Sequence, residues 1–215
     1  MPASVNEFLS FLTKCNALKF GSFVTKSGRV SPYFVNMGEL CTGEGISLLS
    51  GCYAETFQKH FAGKADNLFG PAYKGIPLCV ATAVALHKEY GMDVSFTYNR
   101  KEAKDHGEGG VLVGDNYREK RRVVIIEDVI TAGTSIEETM GIMSENPNAK
   151  VVGLIVALDR KEKLGDGKSA LQQAREKYAI EAYSIAAIED ILKFAPEEYK
   201  ESIKAYRKKW GVEEC

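Results

Sequence analysis

The stretch VVIIEDVITAGTS, Val123 to Ser135, decides the fold. Its opening run of four β-branched apolar residues, Val123 to Ile126, suits a central parallel strand covered on both faces. Two acids follow, Glu127 and Asp128, and then Val129 and Ile130. The small residues Thr131, Ala132, Gly133, Thr134 and Ser135 read as a tight turn that opens a helix. In a parallel α/β sheet, ligands bind beyond the carboxyl ends of the strands. A helix starting there points backbone N–H groups at a phosphate, and Thr131, Thr134 and Ser135 can add hydroxyl donors. The two carboxylates precede that cradle, where they can accept from ribose hydroxyls or face magnesium. An isolated acid pair, or a lone TAGT, is more often a buried strand with an N-capped helix. The unbroken string shifts the reading to a phosphate site.

Working outward, strands and helices alternate. Leu68-Phe69 predicts a short strand, Ile76 to Tyr90 a helix and Val94 to Tyr98 a strand. Past the deciding stretch come a helix over Ser135 to Ser144, a strand over Val151 to Leu158, a helix over Ser169 to Tyr178 and a strand over Ala182 to Ala187. Such alternation implies a mainly parallel sheet with crossover helices. Ahead of it, Ser4 and Glu7 form a capping box for a first helix. Phe20 to Asn36 reads as a pair of short strands, and Gly45 to His60 returns to helical spacing. The tail, Pro196 to Trp210, reads as an amphipathic closing helix. Gly107 to Gly114 and Gly165 to Gly167 read as loops. The expectation is an α/β fold in one domain, 1–215, with residues 1–40 forming a cap.

The 215 residues can bury a sizeable core without staples. A net charge of -1 argues against a general nucleic-acid binder, which needs basic excess. Cys15, Cys41, Cys52, Cys79 and Cys215 contain no C-x-x-C pair and read as buried thiols in a reducing compartment. The N-terminus lacks the order of a secretory signal, and the most apolar run, Val151 to Leu158, is too short to span a bilayer. The expectation is a cytoplasmic protein with no membrane and no nucleic-acid partner. Two rival phosphate motifs fail: Gly167-Lys168-Ser169 has Glu162 where a P-loop needs Gly, and no G-x-G-x-x-G follows a strand.

The deciding stretch resembles the phosphoribosyl-diphosphate (PRPP) signature of the type I phosphoribosyltransferases. Three further segments sharpen the likeness: KSGRVSPYF (Lys26 to Phe34), FGPAYKGIP (Phe69 to Pro77) and NRKEAKDHGEGG (Asn99 to Gly110). In order and spacing, from about Leu18 to Arg160, they are similar to the orotate phosphoribosyltransferase branch.

That resemblance implies a type I fold with an N-terminal hood, PRPP and orotate as substrates, Mg²⁺ as cofactor and a homodimer. It implies PRPP contacts from Lys26, Tyr73, Lys74, Arg100, Lys101, Lys104, His106 and the run Glu127 to Ser135. For orotate it implies Lys26, Phe34, Val35, Thr131 and Arg160, with Arg160 forking the carboxylate. Lys74, Lys104, His106 and Asp128 are the catalytic candidates. Magnesium is carried mainly by PRPP, with Glu127 and Asp128 as further candidates. Residues 99–110, flanked by glycines, are expected to form a lid over the partner's site. Taken alone, the Arg100 to His106 cluster reads as an exposed mixed-charge hairpin, because Glu102, Asp105 and Glu108 nearly cancel it. Arg160 alone reads as a solvated strand end. The rivals are a purine phosphoribosyltransferase, which would have no carboxylate for Arg160, and a DNA-binding regulator that keeps the donor pocket.

Overall fold

A computed structural model describes residues 4–25, 28–104, 110–130 and 134–212. Its centre is a six-stranded sheet in the order β5-β4-β3-β6-β7-β8. The strands are β3 (Asn67–Gly70), β4 (Ser95–Lys104), β5 (Gly110–Gly114), β6 (Arg121–Val129), β7 (Ala149–Asp159) and β8 (Glu181–Ala187). Every neighbouring pair is parallel except β4 with β5. A separate antiparallel hairpin, β1 (Leu18–Val24) with β2 (Val30–Val35), stands ahead of it.

Alternation along β6 explains the layers. Val124 and Ile126 belong to the larger apolar cluster, shared with α2 (Gly43–Phe61) and α3 (Gly75–Tyr90). Ile125 points the other way, into the cluster formed with α4 (Thr134–Ser144) and α5 (Ala170–Tyr178). A strand buried on both faces must be apolar at successive positions, which is why VVII has no polar member. Packing on the α2 face is tight: a Cβ on Gly153 of β7 would lie 2.1 Å from the Phe61 ring. Helix α1 (Val5–Lys14) starts at the expected box, with Glu7 N–H donating to Ser4 Oγ and Ser4 N–H to Glu7 Oε2. Helices α6 (Ile188–Phe194) and α7 (Glu197–Trp210) close the chain.

Two expectations need correction. The glycine-dense 107–114 is not all loop, because Gly110–Gly114 forms β5 and pairs back onto β4. Residues 99–104 form the end of β4, and the rest of the segment expected as a lid, 105–109, lies outside the described residues. The cysteines are not uniformly buried: Cys52 and Cys79 are, whereas Cys15 is half-buried and Cys41 exposed. The Gly167-Lys168-Ser169 run has a structural role, since Ser169 caps α5 in a box with Gln172.

Candidate active site

Strand order sets the location. From β3 the chain crosses by α3 to β4 on one side, and from β6 it crosses by α4 to β7 on the other. Adjacent strands whose connections diverge leave a crevice at their carboxyl ends, the switch point where α/β sheets bind ligands. Here the crevice opens between the loop after β3 and the carboxyl end of β6.

The loop after β3, Pro71 to Lys74, is locked by backbone proximity. A Cβ on Gly70 would sit 2.2 Å from Gly75 O, and one on Gly75 would sit 2.7 Å from Pro71 Cδ. Only glycines allow the strand end and helix start to touch in this way. Asn99 of β4 adds a tether, its Oδ1 accepting from Ala72 N–H at 2.9 Å. Tyr73, 71% exposed, and Lys74 are thereby presented at the crevice.

Across it, the two acids at the end of β6 point to opposite faces. Asp128 shares the α3 side with Lys74, and its Oδ2 accepts from Lys74 Nζ at 3.0 Å. Its other oxygen accepts from Val129 N–H at 2.7 Å. Glu127 is buried on the α4 side, with Oε1 accepting from Asp128 N–H at 3.1 Å. Burial, and next the charge of Asp128, push the Glu127 carboxyl up to about 7, against the opposing pull of hydrogen bonds from Asp128 N–H and Ser135. Tyr53, buried in α2, pins the strand end by donating to Glu127 O at 2.6 Å.

A cavity of about 230 Å³ fills this crevice. Of the residues read from the sequence, it brings together Tyr73, Lys74, Lys101, Glu127, Asp128, Val129 and Ser135. Lys101 reaches it from β4 and lies 3.8 Å from Glu138 of α4. Arg100 is half-buried on the same strand. Ile130 is buried in the α4–α5 cluster, so only its backbone can face a ligand. Lys26, His106, Thr131, Ala132 and Gly133 lie outside the described residues, as do the side chains of Lys104 and Thr134. A second, more apolar cavity of about 390 Å³ adjoins the first through Lys74 and Asp128 and is walled by Met37, Leu40, Ile46 and Leu78.

Phe34, Val35 and Arg160 do not line the first cavity. Phe34 is 39% exposed on the hairpin and its ring packs on Phe23, while Val35 packs on the core. Arg160 follows β7 and is no solvated strand end. It is 9% exposed, lies 4.6 Å from the Tyr33 ring and donates from Nη2 to Ser31 Oγ at 3.2 Å. Arg160 therefore joins the sheet to the hairpin. Sequence reading missed Asn99, Tyr53, Ser31, Tyr33 and Glu162 as supports. Their partners are distant in the chain, and only strand alternation hinted at the split between Glu127 and Asp128.

A switch-point crevice lined by Lys74, Lys101, Glu127 and Asp128 on this strand order fits the phosphoribosyltransferase class. Consistently, the sequence model of the phosphoribosyl transferase domain matches residues 45–184. The orotate phosphoribosyltransferase of Lachnoclostridium phytofermentans is 44% identical over 96% of this chain and 97% of its own, and that of Proteus mirabilis 44% over 99% and 100%. The crystal structure of the Francisella tularensis orotate phosphoribosyltransferase superposes with a TM-score of 0.85 at 37% identity, covering 95% of this chain and 99% of that one. The chain belongs to the orotate phosphoribosyltransferase family.

Proposed function

We propose that the chain transfers the 5-phosphoribosyl group of PRPP to orotate, giving orotidine 5'-phosphate and diphosphate, a step of pyrimidine biosynthesis. The observation that carries this reading is the Lys74–Asp128 pair, 3.0 Å apart across the switch-point crevice. Cleavage at the anomeric carbon builds positive charge on the ribose and negative charge on the departing diphosphate. Catalysis then depends on fixed charges of opposite sign on the two sides of the breaking bond. Lys74 supplies the cation, and arriving diphosphate takes its ammonium over from Asp128. That frees the carboxylate to face the ribose hydroxyls, with Glu127 on the other side of the strand.

Arg100, Lys101, Lys104 and His106 complete the cationic set, and Lys104 or His106 protonates the leaving group. The run from Val129 to Ser135 cradles the 5-phosphate, and Tyr73 and Lys26 flank the donor. Orotate attacks through an anionic ring nitrogen, so no strong base is required. Its carboxylate meets Arg160, and Lys26, Thr131 and the Phe34-Val35 backbone hold the ring.

Among the described residues three carboxylates line the crevice, Glu127, Asp128 and Glu138. Glu127 and Asp128 leave opposite faces of β6, so either one, and not the two together, would meet a Mg²⁺ ion whose other oxygens come from PRPP, and the bound ion would neutralise diphosphate charge. The same reading takes 1–215 as one domain with residues 1–40 as the cap. It also takes a homodimer in which the 99–110 arm reaches the partner's site, and a cytoplasmic setting. No helix among the described residues is long and apolar enough to cross a membrane. An absorbance assay of orotate consumption with PRPP and Mg²⁺ tests the function, with hypoxanthine, adenine and uracil as competing acceptors. Turnover of a purine in place of orotate would overturn it.

A further inference from the structure

Glu162, itself half-buried, lies at the centre of a charge network that no catalytic step uses. Its Oε1 accepts from Arg160 Nε at 2.7 Å and Nη2 at 2.6 Å, and from Tyr206 Oη of α7 at 2.9 Å. Its Oε2 accepts from Arg29 Nη1 at 3.2 Å, at the start of the hairpin's second strand. Arg29 in turn donates to Lys163 O and lies over the Trp210 ring. Backbone bonds fasten the same segment to the end of α7: Lys163 N–H to Trp210 O at 2.7 Å and Val212 N–H to Lys161 O at 2.9 Å.

The geometry has a directional consequence. A guanidinium is a rigid planar fork, so a carboxylate across the Nε–Nη2 edge fixes the plane of the whole group. Ser31 Oγ accepts from the same Nη2, and the Tyr33 ring closes one face. Tyr206 also bonds the guanidinium, and Nη1 is the nitrogen that neither Glu162 nor Ser31 engages. The edge left for a substrate carboxylate is the one bearing Nη1, and Glu162 decides where that edge points.

We propose that Glu162 is a positioning residue for the acceptor. It aims Arg160, and through Tyr206 it makes helix α7 part of the orotate pocket although α7 lines neither crevice cavity. This rests on the reading of Arg160 as the group that grips the acceptor's carboxylate.

The test measures KM for orotate, KM for PRPP and kcat in Glu162→Gln, Tyr206→Phe and Arg160→Ala. Glu162→Gln keeps shape and an acceptor while removing the charge, and Tyr206→Phe removes a single hydroxyl with little risk to the fold. The expected result is a rise of roughly tenfold in KM for orotate in Glu162→Gln, the equivalent of one charge-assisted hydrogen bond. A smaller rise is expected in Tyr206→Phe, with KM for PRPP within about twofold of wild type in both. Partial recovery is expected in Glu162→Asp, which restores the charge at a shorter reach. If Arg160→Ala raises KM for orotate while Glu162→Gln and Tyr206→Phe leave it unchanged, the positioning role is wrong and the Arg160 reading survives. If Arg160→Ala itself leaves it unchanged, the underlying reading fails. Equal rises in both KM values, with a lowered melting temperature, would mean a structural role only and would overturn the proposal.

Discussion

Replacing Glu127 by Gln should make the protein more stable, and increasingly so as pH rises. The carboxyl is 7% exposed and its pKa is raised from an ordinary 4.5 to about 7, first by burial and then by Asp128. Because folding raises this pKa, the contribution of the group is whole below pH 4.5 and is lost as pH climbs through about 7. At about 1.4 kcal/mol per unit, the full loss above that window is up to roughly 3 kcal/mol. Gln has the shape of the protonated acid and does not titrate. Urea unfolding of both proteins between pH 4.5 and 8.5 should give nearly coincident stabilities at the acid end. The variant should lead by up to roughly 3 kcal/mol at the alkaline end. A difference independent of pH, or one that grows toward acid, would show that Glu127 is not held near neutrality by its surroundings.

Lys74→Ala and Asp128→Asn should each lower kcat by roughly 10²–10³ while circular dichroism and melting stay near wild type; turnover close to wild type in either would remove that residue from the mechanism. Gly153→Ala should destabilise by about 1–3 kcal/mol in thermal unfolding, because the added methyl meets the Phe61 ring, with KM values for both substrates unchanged; an unaltered melting temperature would mean that α2 yields at this contact.

The sheet and the position of the crevice could be read from VVIIED and the hydroxyl-rich turn, because burial on both faces and ligand binding at strand ends leave local marks. Strand β5 could not. Gly110 and Gly114 look like breakers, yet they bound a strand whose pairing with β4 is a tertiary fact. Likewise, α6 follows β8 without a punctuating residue and spans only seven residues, too short for helical spacing to stand out. The Lys74–Asp128 pairing is partly legible, since each residue is marked by motif. The surroundings of Arg160 are not: Ser31 is 129 residues away and Tyr206 lies 44 residues beyond its partner Glu162, and no local pattern encodes either.

Lys74 and Asp128 are 54 positions apart and meet only because β6 inserts beside β3 after the chain has already turned back through β4 and β5. A nascent or half-assembled molecule therefore owns each arm of the clasp but not the clasp. If the clasp receives the phosphoribosyl donor as proposed, donor recognises only the finished sheet, and its binding is linked to folding. On that reading, a cell rich in the activated sugar would protect this polypeptide by mass action, by the same increment in a weakened variant as in the parent chain.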